Sequence, residues 1–293
     1  MSLKSRFRSL SAALGVGTLV LGLGACAGGA AEPAAPEAEA PAATEEAPAL
    51  ATLTEGKLTI ATGEPAYPPY VLDDAPESGQ GFEAAVAYAL AEELGFAPED
   101  VVWVRTTFEA AIQPGPKDFD LNLQQYSITP ERAENVDFSN AYYKTPQAIL
   151  TVAGSAAAEA TSLADLKEFN IGAASGTTSF QAIEESIQPS AGAFAFNNND
   201  DAKLALETGQ IDALVVDLPT AFYLIAVELT DGVLIGQLPP GAGTSDEWGF
   251  VLQKDSPLTE AVNAALQRLI DSGKLAEITD AWLGSDQGAP VLQ

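Results

Sequence analysis

Short apolar segments alternate with amphipathic segments along most of this chain, and the alternation predicts strands interleaved with helices. Residues 57–62 alternate and are rich in β-branched side chains, which predicts a first strand. Residues 81–95 carry apolar side chains at positions 82, 86, 90 and 94 and end at a glycine, which predicts a helix. The same reasoning predicts further strands at 101–105, 119–123, 170–174, 211–216 and 248–252, and further helices at 180–187, 200–208, 219–228 and 258–270.

The N-terminus has the composition of an export signal, predicted to cover residues 1–25. Three basic residues precede an apolar run that is too short to span a bilayer, and small residues follow it. Cys26 is the only cysteine in the sequence, which excludes an intrachain disulfide. Its Leu-Gly-Ala-Cys context resembles a bacterial lipobox, in which the cysteine is diacylated and becomes the new N-terminus. The alternative is an ordinary signal peptide with an incidental cysteine.

Composition and charge then limit what the remaining chain can bind. Residues 26–52 are mostly Ala, Pro and Glu without Lys or Arg, and are predicted to form a lipidated, flexible linker. Beyond the signal, ten basic residues stand against 41 acidic residues, a formal net charge of −31. Such a charge argues against a nucleic-acid partner. Roughly 235 residues are left for the folded part, enough for two compact lobes.

The stretch at 120–143, DLNLQQYSITPERAENVDFSNAYY, contains the most distinctive candidate for ligand chemistry. Arg132 is one of three arginines beyond Cys26, and it follows Ser and Thr hydroxyls in a turn. An arginine in that setting suits two-point capture of a carboxylate. The alternative is an ion pair that holds one loop to its neighbour.

Three other segments carry candidate ligand groups. A Gly followed by hydroxyl residues at 175–179, between a strand and a helix, predicts an anion site or only a good N-cap. Asp217 follows an apolar strand, where a carboxylate is costly unless it is paired or solvated; the alternative is a cap for helix 219–228. Tyr67 lies in a proline-rich segment at 63–70 that suits a pocket wall or a surface turn.

The sequence S-I-T-P-E-R, followed by V-D-F-S and Y-Y, resembles the bacterial extracellular solute-binding proteins of family 3, the polar amino-acid-binding proteins of ABC uptake systems. Further matches extend over residues 57–284. The resemblance implies an α/β, two-lobe periplasmic-binding-protein fold of type II, with a ligand cleft between lobes joined by two crossing strands. The crossings are expected within 144–152 and 234–241. The domains expected are lobe 1 (53–147), lobe 2 (148–243), a return to lobe 1 (244–284) and a tail (285–293).

The resemblance also implies roles for individual residues. Arg132, with Ser127 and the 177–178 helix terminus, would hold an α-carboxylate, and Asp217 would receive the α-ammonium. Aromatic side chains would enclose the ligand's side chain, although Phe108 could equally belong to the core. Gln124 and Gln125 replace smaller residues of the family and bear on specificity, whereas Ala85 replaces an acid and is assigned to scaffold variation. The complete expected ligand-binding set is Glu64, Tyr67, Phe108, Gln125, Tyr126, Ser127, Arg132, Thr177, Thr178 and Asp217.

The function implied is an extracytoplasmic, lipid-anchored protein of the bacterial cell membrane. It would capture a free amino acid with a polar or basic side chain by hinge closure, as a monomer, and deliver it to ABC permease subunits. No cofactor, metal or catalytic residue is expected, since the sequence contains no histidine and its one thiol is assigned to lipid. Two alternatives are a dehydratase-like enzyme on the same fold and a ligand-sensing receptor domain. The receptor would need a membrane-spanning or signalling segment, for which 285–293 is too short.

Overall fold

A computed structural model describes residues 50–239, 246–284 and 288–293. The predicted signal peptide, Cys26 and nearly all of the predicted linker lie outside the described residues. So do 240–243, 244–245 and 285–287, which fall on the predicted ends of lobe 2, the return segment and the tail.

The described residues contain strands, helices and short 3₁₀ turns that alternate much as the hydrophobic pattern predicts. The strands are β1 (Leu58–Gly63), β2 (Val101–Thr106), β3 (Leu121–Asn122), β4 (Val136–Thr145), β5 (Gln147–Val152), β6 (Ile171–Ala174), β7 (Ala193–Phe196), β8 (Ala213–Asp217), β9 (Gly232–Gln237) and β10 (Asp246–Gln253). The helices are α1 (Phe82–Glu93), α2 (Phe108–Ile112), α3 (Pro130–Asn135), α4 (Thr178–Ala182), α5 (Asn199–Glu207), α6 (Leu218–Tyr223), α7 (Thr259–Asp271) and α8 (Lys274–Trp282). Helices α4 and α6 each continue into a π turn, at Ile183–Ile187 and Leu224–Glu228. The 3₁₀ turns are Leu72–Asp74, Pro76–Ser78, Pro98–Asp100, Ala156–Glu159 and Asp165–Glu168.

The strands form two sheets with the same arrangement. The first sheet has the order β2-β1-β3-β10-β4, and the second has the order β7-β6-β8-β5-β9. In each sheet the first three strands are parallel, and the last two are antiparallel to their neighbours. Parallel strands need crossover helices, and these cover the faces of both sheets. Two α/β lobes result, as the sequence analysis predicts.

Each lobe has its own apolar core. In lobe 1, α1, α7 and α8 pack on the first sheet around buried Phe82, Leu266 and Trp248. Helix α7 contributes apolar residues spaced three and four apart, as an amphipathic helix must, and each fully buried large side chain stabilises the lobe by about 1.5–3 kcal/mol. In lobe 2, α4–α6 cover both faces of the second sheet, in two clusters around Ile149 and Leu214.

The chain passes from lobe 1 to lobe 2 at Pro146, between β4 and β5, inside the segment where a first crossing is expected. Residues 234–237, the first part of the segment expected for the return, belong to β9 of lobe 2, whereas 240–241 lie outside the described residues. Strand β4 was not predicted, since its burial along VDFSNAYYKT does not alternate regularly. Within the described ranges, no helix has both the length and the apolar character needed to cross a membrane.

The last residues of the chain belong to lobe 2, although α8 packs in lobe 1. The backbone N–H of Gln237 donates to the Pro290 carbonyl at 2.7 Å, and the Leu292 N–H donates to the Gln237 carbonyl at 3.0 Å. Leu292 is only 2% exposed and lies in the lobe 2 core. Gly236 makes this approach possible, because a Cβ there would come within 2.6 Å of the Pro290 oxygen. The sequence analysis anticipated only a tail.

We expect Leu292→Ala to destabilise lobe 2 by about 2–3 kcal/mol, since it removes a buried leucine at a site that can partly relax. Its neighbour Val291, which is 45% exposed, provides the matched control, and Val291→Ala should change stability by no more than about 0.5 kcal/mol. Urea unfolding of the two variants measures the difference. Equal effects would mean that the C-terminal residues do not pack on lobe 2 in solution.

Candidate functional site

A cavity of about 410 Å³ lies between the two lobes, a size within the usual range for small-molecule sites. Its walls are built from residues at the ends of the parallel strands of both sheets or just after them. From lobe 1 these are Glu64, Pro65 and Tyr67 after β1, Thr107, Phe108 and Glu109 after β2, and Gln124, Gln125 and Ser127 after β3. From lobe 2 they are Ala174 at the end of β6 with Ser175, Thr177, Thr178 and Ser179 after it, Asn197, Asn198 and Asn199 after β7, and Val216 with Asp217 at the end of β8. Carboxyl ends of parallel strands are where open α/β sheets place their ligands, and here two such edges face each other.

Most of the residues expected to bind a ligand line this cavity. They are Glu64, Tyr67, Phe108, Gln125, Ser127, Thr177, Thr178 and Asp217. The remaining two, Tyr126 and Arg132, lie directly behind the wall. The Tyr126 ring stacks on Phe108 with 4.6 Å between ring centroids, and its hydroxyl donates to Gln124 Oε1 at 2.9 Å. This bond occupies the oxygen of the Gln124 amide and leaves its Nε2 group for other partners.

Arg132 connects the two lobes. Helix α3, which Thr129 caps, places it so that Nη1 donates to the Ser127 carbonyl at 2.8 Å and Nη2 donates to the Gly176 carbonyl of lobe 2 at 2.9 Å. Its guanidinium carbon lies 5.3 Å from the centre of the Phe108 ring, and the residue is 7% exposed. Burial lowers the pKa of Arg132, and nearby Asp246 and Asp217 oppose that shift. Among the described residues it forms no ion pair within 4 Å, so the loop-pairing alternative does not describe it.

The segment at 175–179 uses its two threonines differently. Thr177 Oγ1 accepts from Phe180 N at 3.1 Å as the N-cap of α4, and donates to the Ala174 carbonyl at 2.6 Å. Its hydroxyl is therefore committed, and the N-cap alternative describes this side chain. Thr178 Oγ1 lies 3.2 Å from Ser127 Oγ of lobe 1, across the cleft. Gly176 adopts the left-handed conformation (φ +71°) that the turn requires.

Asp217 ends β8 and precedes α6, but its side chain makes no capping hydrogen bond. Instead its Oδ1 accepts from Gln147 Nε2 at 2.6 Å. The same Nε2 group donates to Asp246 Oδ2, and Gln147 Oε1 accepts from Ser179 Oγ at 2.5 Å. Burial raises the pKa of both aspartates, and the charge of Asp246 raises the pKa of Asp217 further. The helix-cap alternative for Asp217 is thus wrong, and the carboxylate belongs to a buried polar network.

Glu83 of α1 holds Gln125 in place by hydrogen bonds. The buried Glu83 carboxylate accepts from Gln125 N at 2.7 Å, from Gln125 Nε2 at 2.5 Å and from the Tyr142 hydroxyl. These bonds keep Gln125 at a φ of +50°, which is uncommon for a residue other than glycine. Burial raises the pKa of Glu83 to about 7, against the lowering effect of the three donors. Glu83 therefore supports a wall residue of the cavity as well as belonging to α1.

Further contacts join the lobes around the cavity. The Tyr70 hydroxyl lies 2.8 Å from Thr220 Oγ1, and Ser175 Oγ donates to Glu109 Oε1 at 3.0 Å. The buried Tyr67 hydroxyl of lobe 1 has no hydrogen-bond partner among the described residues, and burial together with the negative charge of nearby Asp200, in the first turn of α5, raises the pKa of the phenol. The cleft is therefore closed.

Sequence reasoning missed several residues of the site. Asn197, Asn198 and Asn199 line the cavity, and Asn198 Oδ1 caps α5 by accepting from Asp201 N at 2.8 Å. The run of three asparagines before a predicted helix is a signal that could have found them. Gln147 and Asp246 carry no comparable local signal. In the part of the chain that the structure describes, no group of Cys, Asp or Glu side chains is arranged to hold a metal ion.

This chain is similar to a protein family, to individual relatives and to solved structures. The family described as bacterial extracellular solute-binding proteins, family 3, matches residues 58–285. The L-arginine-binding protein of Pseudomonas aeruginosa is 29% identical over 238 residues, which is 76% of this chain and 86% of the relative. The ABC transporter glutamine-binding protein GlnH of Bacillus subtilis is 30% identical over 217 residues, which is 72% of this chain and 76% of the relative.

Solved structures give the same picture of the fold. An ancestral arginine-binding protein bound to glutamine superposes with a TM-score of 0.66 and 29% identity, covering 79% of this chain and all of the other. The ancestral amino acid-binding protein AncCDT-1, a precursor of cyclohexadienyl dehydratase, superposes with a TM-score of 0.64 and 31% identity, covering 78% of this chain and 96% of the other. The predicted fold class, a two-lobe periplasmic-binding fold of type II, is therefore confirmed.

The raised pKa of Glu83 predicts a specific pH dependence of stability. Because its pKa increases from 4.5 to about 7 on folding, the protonated carboxyl stabilises the fold below pH 4.5, and this contribution is lost as the pH rises through 7. We expect the free energy of unfolding of Glu83→Gln, relative to wild type, to increase by roughly 3 kcal/mol between pH 4.5 and 8. Urea unfolding at a series of pH values measures it.

The matched control is Glu92→Gln, an exposed acid on the same helix. It reports the effect of losing one surface charge from α1. If Glu83→Gln and Glu92→Gln gave parallel pH profiles, the Glu83 carboxyl would not change its proton affinity on folding.

Proposed function

Because the chain belongs to the bacterial extracellular solute-binding proteins, family 3, we propose that it captures a free amino acid outside the cytoplasm and delivers it to the permease subunits of an ABC transporter. The observation that carries this proposal is the closed cavity between the lobes, which has a guanidinium behind one wall and a carboxylate on another. A zwitterion with one carboxylate and one ammonium is complementary to that arrangement.

The carboxylate of the ligand would bind where Ser127, Thr178 and Arg132 meet. The Ser127 and Thr178 hydroxyls line the cavity from opposite lobes, 3.2 Å apart, so one anion can accept from both. Arg132 has five N–H donors and spends two hydrogen bonds on backbone carbonyls, which leaves donors for a carboxylate. Thr177 would contribute through its backbone N–H at the helix terminus, since its hydroxyl is already committed.

The ammonium of the ligand would bind at Asp217, on the lobe 2 wall. Its carboxylate has one described partner, the Gln147 amide, and can accept further hydrogen bonds from a cation. Burial makes this carboxylate costly when it is uncompensated, and an ammonium supplies the compensation. Asp217 is therefore better suited to a cationic ligand group than to holding a helix.

The side chain of the ligand would extend between Tyr67 and Phe108 toward Glu64. The amides nearby offer both kinds of hydrogen-bonding group. Gln124 offers its Nε2 group, since its oxygen accepts from Tyr126, whereas the Nε2 group of Gln125 is engaged by Glu83, so its oxygen is available. A polar or basic side chain fits this mixture of acceptors and donors, and the named relatives that bind arginine and glutamine support the same class.

The binding function is favoured over an enzyme on the same fold. The named relatives are binding proteins, and the structural neighbour linked to a dehydratase is itself described as an amino acid-binding precursor. The cavity offers carboxylates, amides and hydroxyls, without histidine or cysteine among its lining residues. A zwitterion accounts for the two charged groups of opposite sign without any chemical conversion of the ligand.

The anchoring of the protein is a further part of the proposal. Cys26 follows Leu-Gly-Ala at the end of the predicted export signal, and the predicted linker, 26–52, would tether the folded part to the lipid. Diacylation of Cys26 would hold a monomeric binding protein at the outer face of the cell membrane, where its permease lies. One lipid-bearing residue with a polar tether leaves the cleft free to open and close.

Arg132 provides the sharpest test of the proposed function. A thermal-shift screen of the twenty amino acids first identifies the ligand, which should add about 2.7 kcal/mol of stability at 100-fold above Kd. Arg132→Lys should then lower the affinity although the charge is kept, because an ammonium cannot form the two-point contact. Arg132→Ala should lower it further. Replacing the carboxylate of the ligand by a carboxamide should weaken binding to wild type strongly. The same replacement should weaken binding to Arg132→Ala much less, because both changes remove the same contact.

That non-additivity separates a direct contact from a loss of closure, since Arg132 also bonds the Gly176 carbonyl of the other lobe. If calorimetry showed that the two losses add fully, Arg132 would hold the lobes together without touching the carboxylate. The matched control is Arg268→Ala, which removes an arginine that pairs with Glu93 on the surface of lobe 1. This variant should keep wild-type affinity. No stabilisation by any amino acid would reject the function itself.

The anchor has its own test. Cys26→Ser should abolish incorporation of a radioactive fatty acid and move the mature protein from the detergent phase to the aqueous phase, because the thiol is the site of acylation. Amino-acid binding should be unchanged, since the folded lobes are intact. Equal labelling of wild type and Cys26→Ser would reject the lipidation site.

A further inference from the structure

Asp246 is a second carboxylate next to the proposed ammonium site, and it does not line the cavity. It begins β10 and is 1% exposed. One amide group, Gln147 Nε2, donates to Asp217 at 2.6 Å and also to Asp246. Two carboxylate oxygens within hydrogen-bonding distance of one nitrogen must lie within roughly 6 Å of each other. Two negative charges that close are unfavourable inside a protein.

The second oxygen of Asp246 has no hydrogen-bond partner among the described residues. The hydroxyls of Ser127 and Thr178 lie beside Asp246, and because the bond between them uses one of their two protons, together they can offer Asp246 at most one donor. A buried carboxylate oxygen without a donor is costly. A proton on that oxygen would turn it from an orphaned acceptor into a donor to one of the two hydroxyl oxygens. The geometry thus has a place for one proton on the pair.

We propose that Asp246 is a positioning residue of the ammonium site, and that the Asp217–Asp246 pair holds one proton which the ammonium of a bound amino acid displaces. The proposal rests on the proposed function. In the free protein the pair carries one proton and one negative charge. When the ammonium binds at Asp217, its positive charge favours ionisation of both carboxyls, and the proton leaves to solvent. Binding would therefore be coupled to proton release, and would be tighter at higher pH.

The other charged and titratable groups around the pair do not replace this role. Arg132 of α3 favours ionisation of both carboxyls, whereas Glu83 of α1 opposes it for Asp217. Burial raises the pKa values of Tyr70 and Tyr142, so these phenols keep their protons near neutral pH. On the strands that flank the pair, Lys144 and Glu247 neutralise each other at 2.9 Å. Tyr143 of β4 lies close to Tyr70. Glu83 is thus the one neighbour that must be controlled for.

Calorimetry of the amino acid found in the screen tests the proposal. Titrations between pH 5 and 8, in buffers of low and high ionisation enthalpy, count the protons released per molecule bound. Wild type should release a substantial fraction of one proton within this range, and its affinity should rise with pH over the same interval. An ammonium near a carboxyl lowers the pKa of that carboxyl by about 1–3 units, so the affinity should increase tenfold or more.

Asp246→Asn is the informative variant, because an asparagine resembles the protonated acid in shape and charge. It should release no proton from the pair, so its affinity should rise much less with pH than that of wild type. It should match wild type at the low end of the range and bind tenfold or more weakly at the high end. Glu83→Gln is the control for the neighbouring acid, and it should retain the proton release of wild type.

The outcomes are distinct. If wild type bound the amino acid without releasing a proton at any pH, the coupling would be rejected while the proposed function stood. If Asp246→Asn released as many protons as wild type, Asp246 would not be part of the titrating pair. If proton release disappeared in Glu83→Gln instead, Glu83 would be the source. A wild type that bound no amino acid at all would reject the proposed function. The first result needs only the wild-type protein, so it does not depend on how well the variants fold.

Discussion

Both sheets end their parallel strands at the same cleft, and the rest of the structure depends on this constraint. Every segment of the cavity wall lies at the carboxyl end of a parallel strand or just after it, three from each lobe. The strand ends fix the wall residues in place, because each strand is anchored in an apolar core on its own side of the cleft. Polar groups that neither core could accept, such as Asp217 and Ser127, are thereby brought to face each other. The two lobes repeat one strand order, and each contributes one wall of the site.

Charge in the cleft follows from this convergence. The negative charges of Asp246 and Glu83 raise the pKa of Asp217, and the positive charge of Arg132 favours ionisation of both Asp217 and Asp246. Its guanidinium is held by two carbonyls and not by a carboxylate, so the acids are not neutralised by direct pairing. Buried acids of this kind either remain protonated or are stabilised by binding a cation. The site thus lacks a positive charge beside its buried acids, and an ammonium group would supply it. The carboxylate of the same molecule would bind the remaining N–H donors of Arg132.

Much of the fold could be predicted from the sequence because its signals are local. The strand at 57–62, the helix at 81–95 and the apolar run before Asp217 each occupy nearly the positions predicted for them. The wall residues were predictable for the same reason, since Ser127 and Thr178 lie in short motifs that follow strands. Gln147 and Asp246 were not predictable, because they are 99 residues apart and meet only when β4, β5 and β10 are in place. Thr177 shows that a motif does not fix the role of each side chain in it. Its motif indicates a ligand contact, whereas its hydroxyl caps helix α4.

The C-terminal residues add a constraint on opening that the predicted two crossings do not include. Helix α8 packs in lobe 1, and Leu292 lies in the core of lobe 2, so the chain connects the lobes a third time. The path from Gly284 to Gly288 is four residues long, and four residues span at most about 14 Å. As long as Pro290 and Leu292 stay hydrogen-bonded to Gln237, the C-terminal residues remain attached to lobe 2. The points of attachment on the two lobes then cannot move apart beyond the reach of this short path. A hinge that opens the cleft must therefore turn about an axis that keeps these ends close, or release the C-terminal residues from lobe 2. Gln147 follows the first crossing at Pro146 and Asp246 begins β10 of lobe 1, so the hydrogen bond between their side chains joins the lobes beside the other two connections.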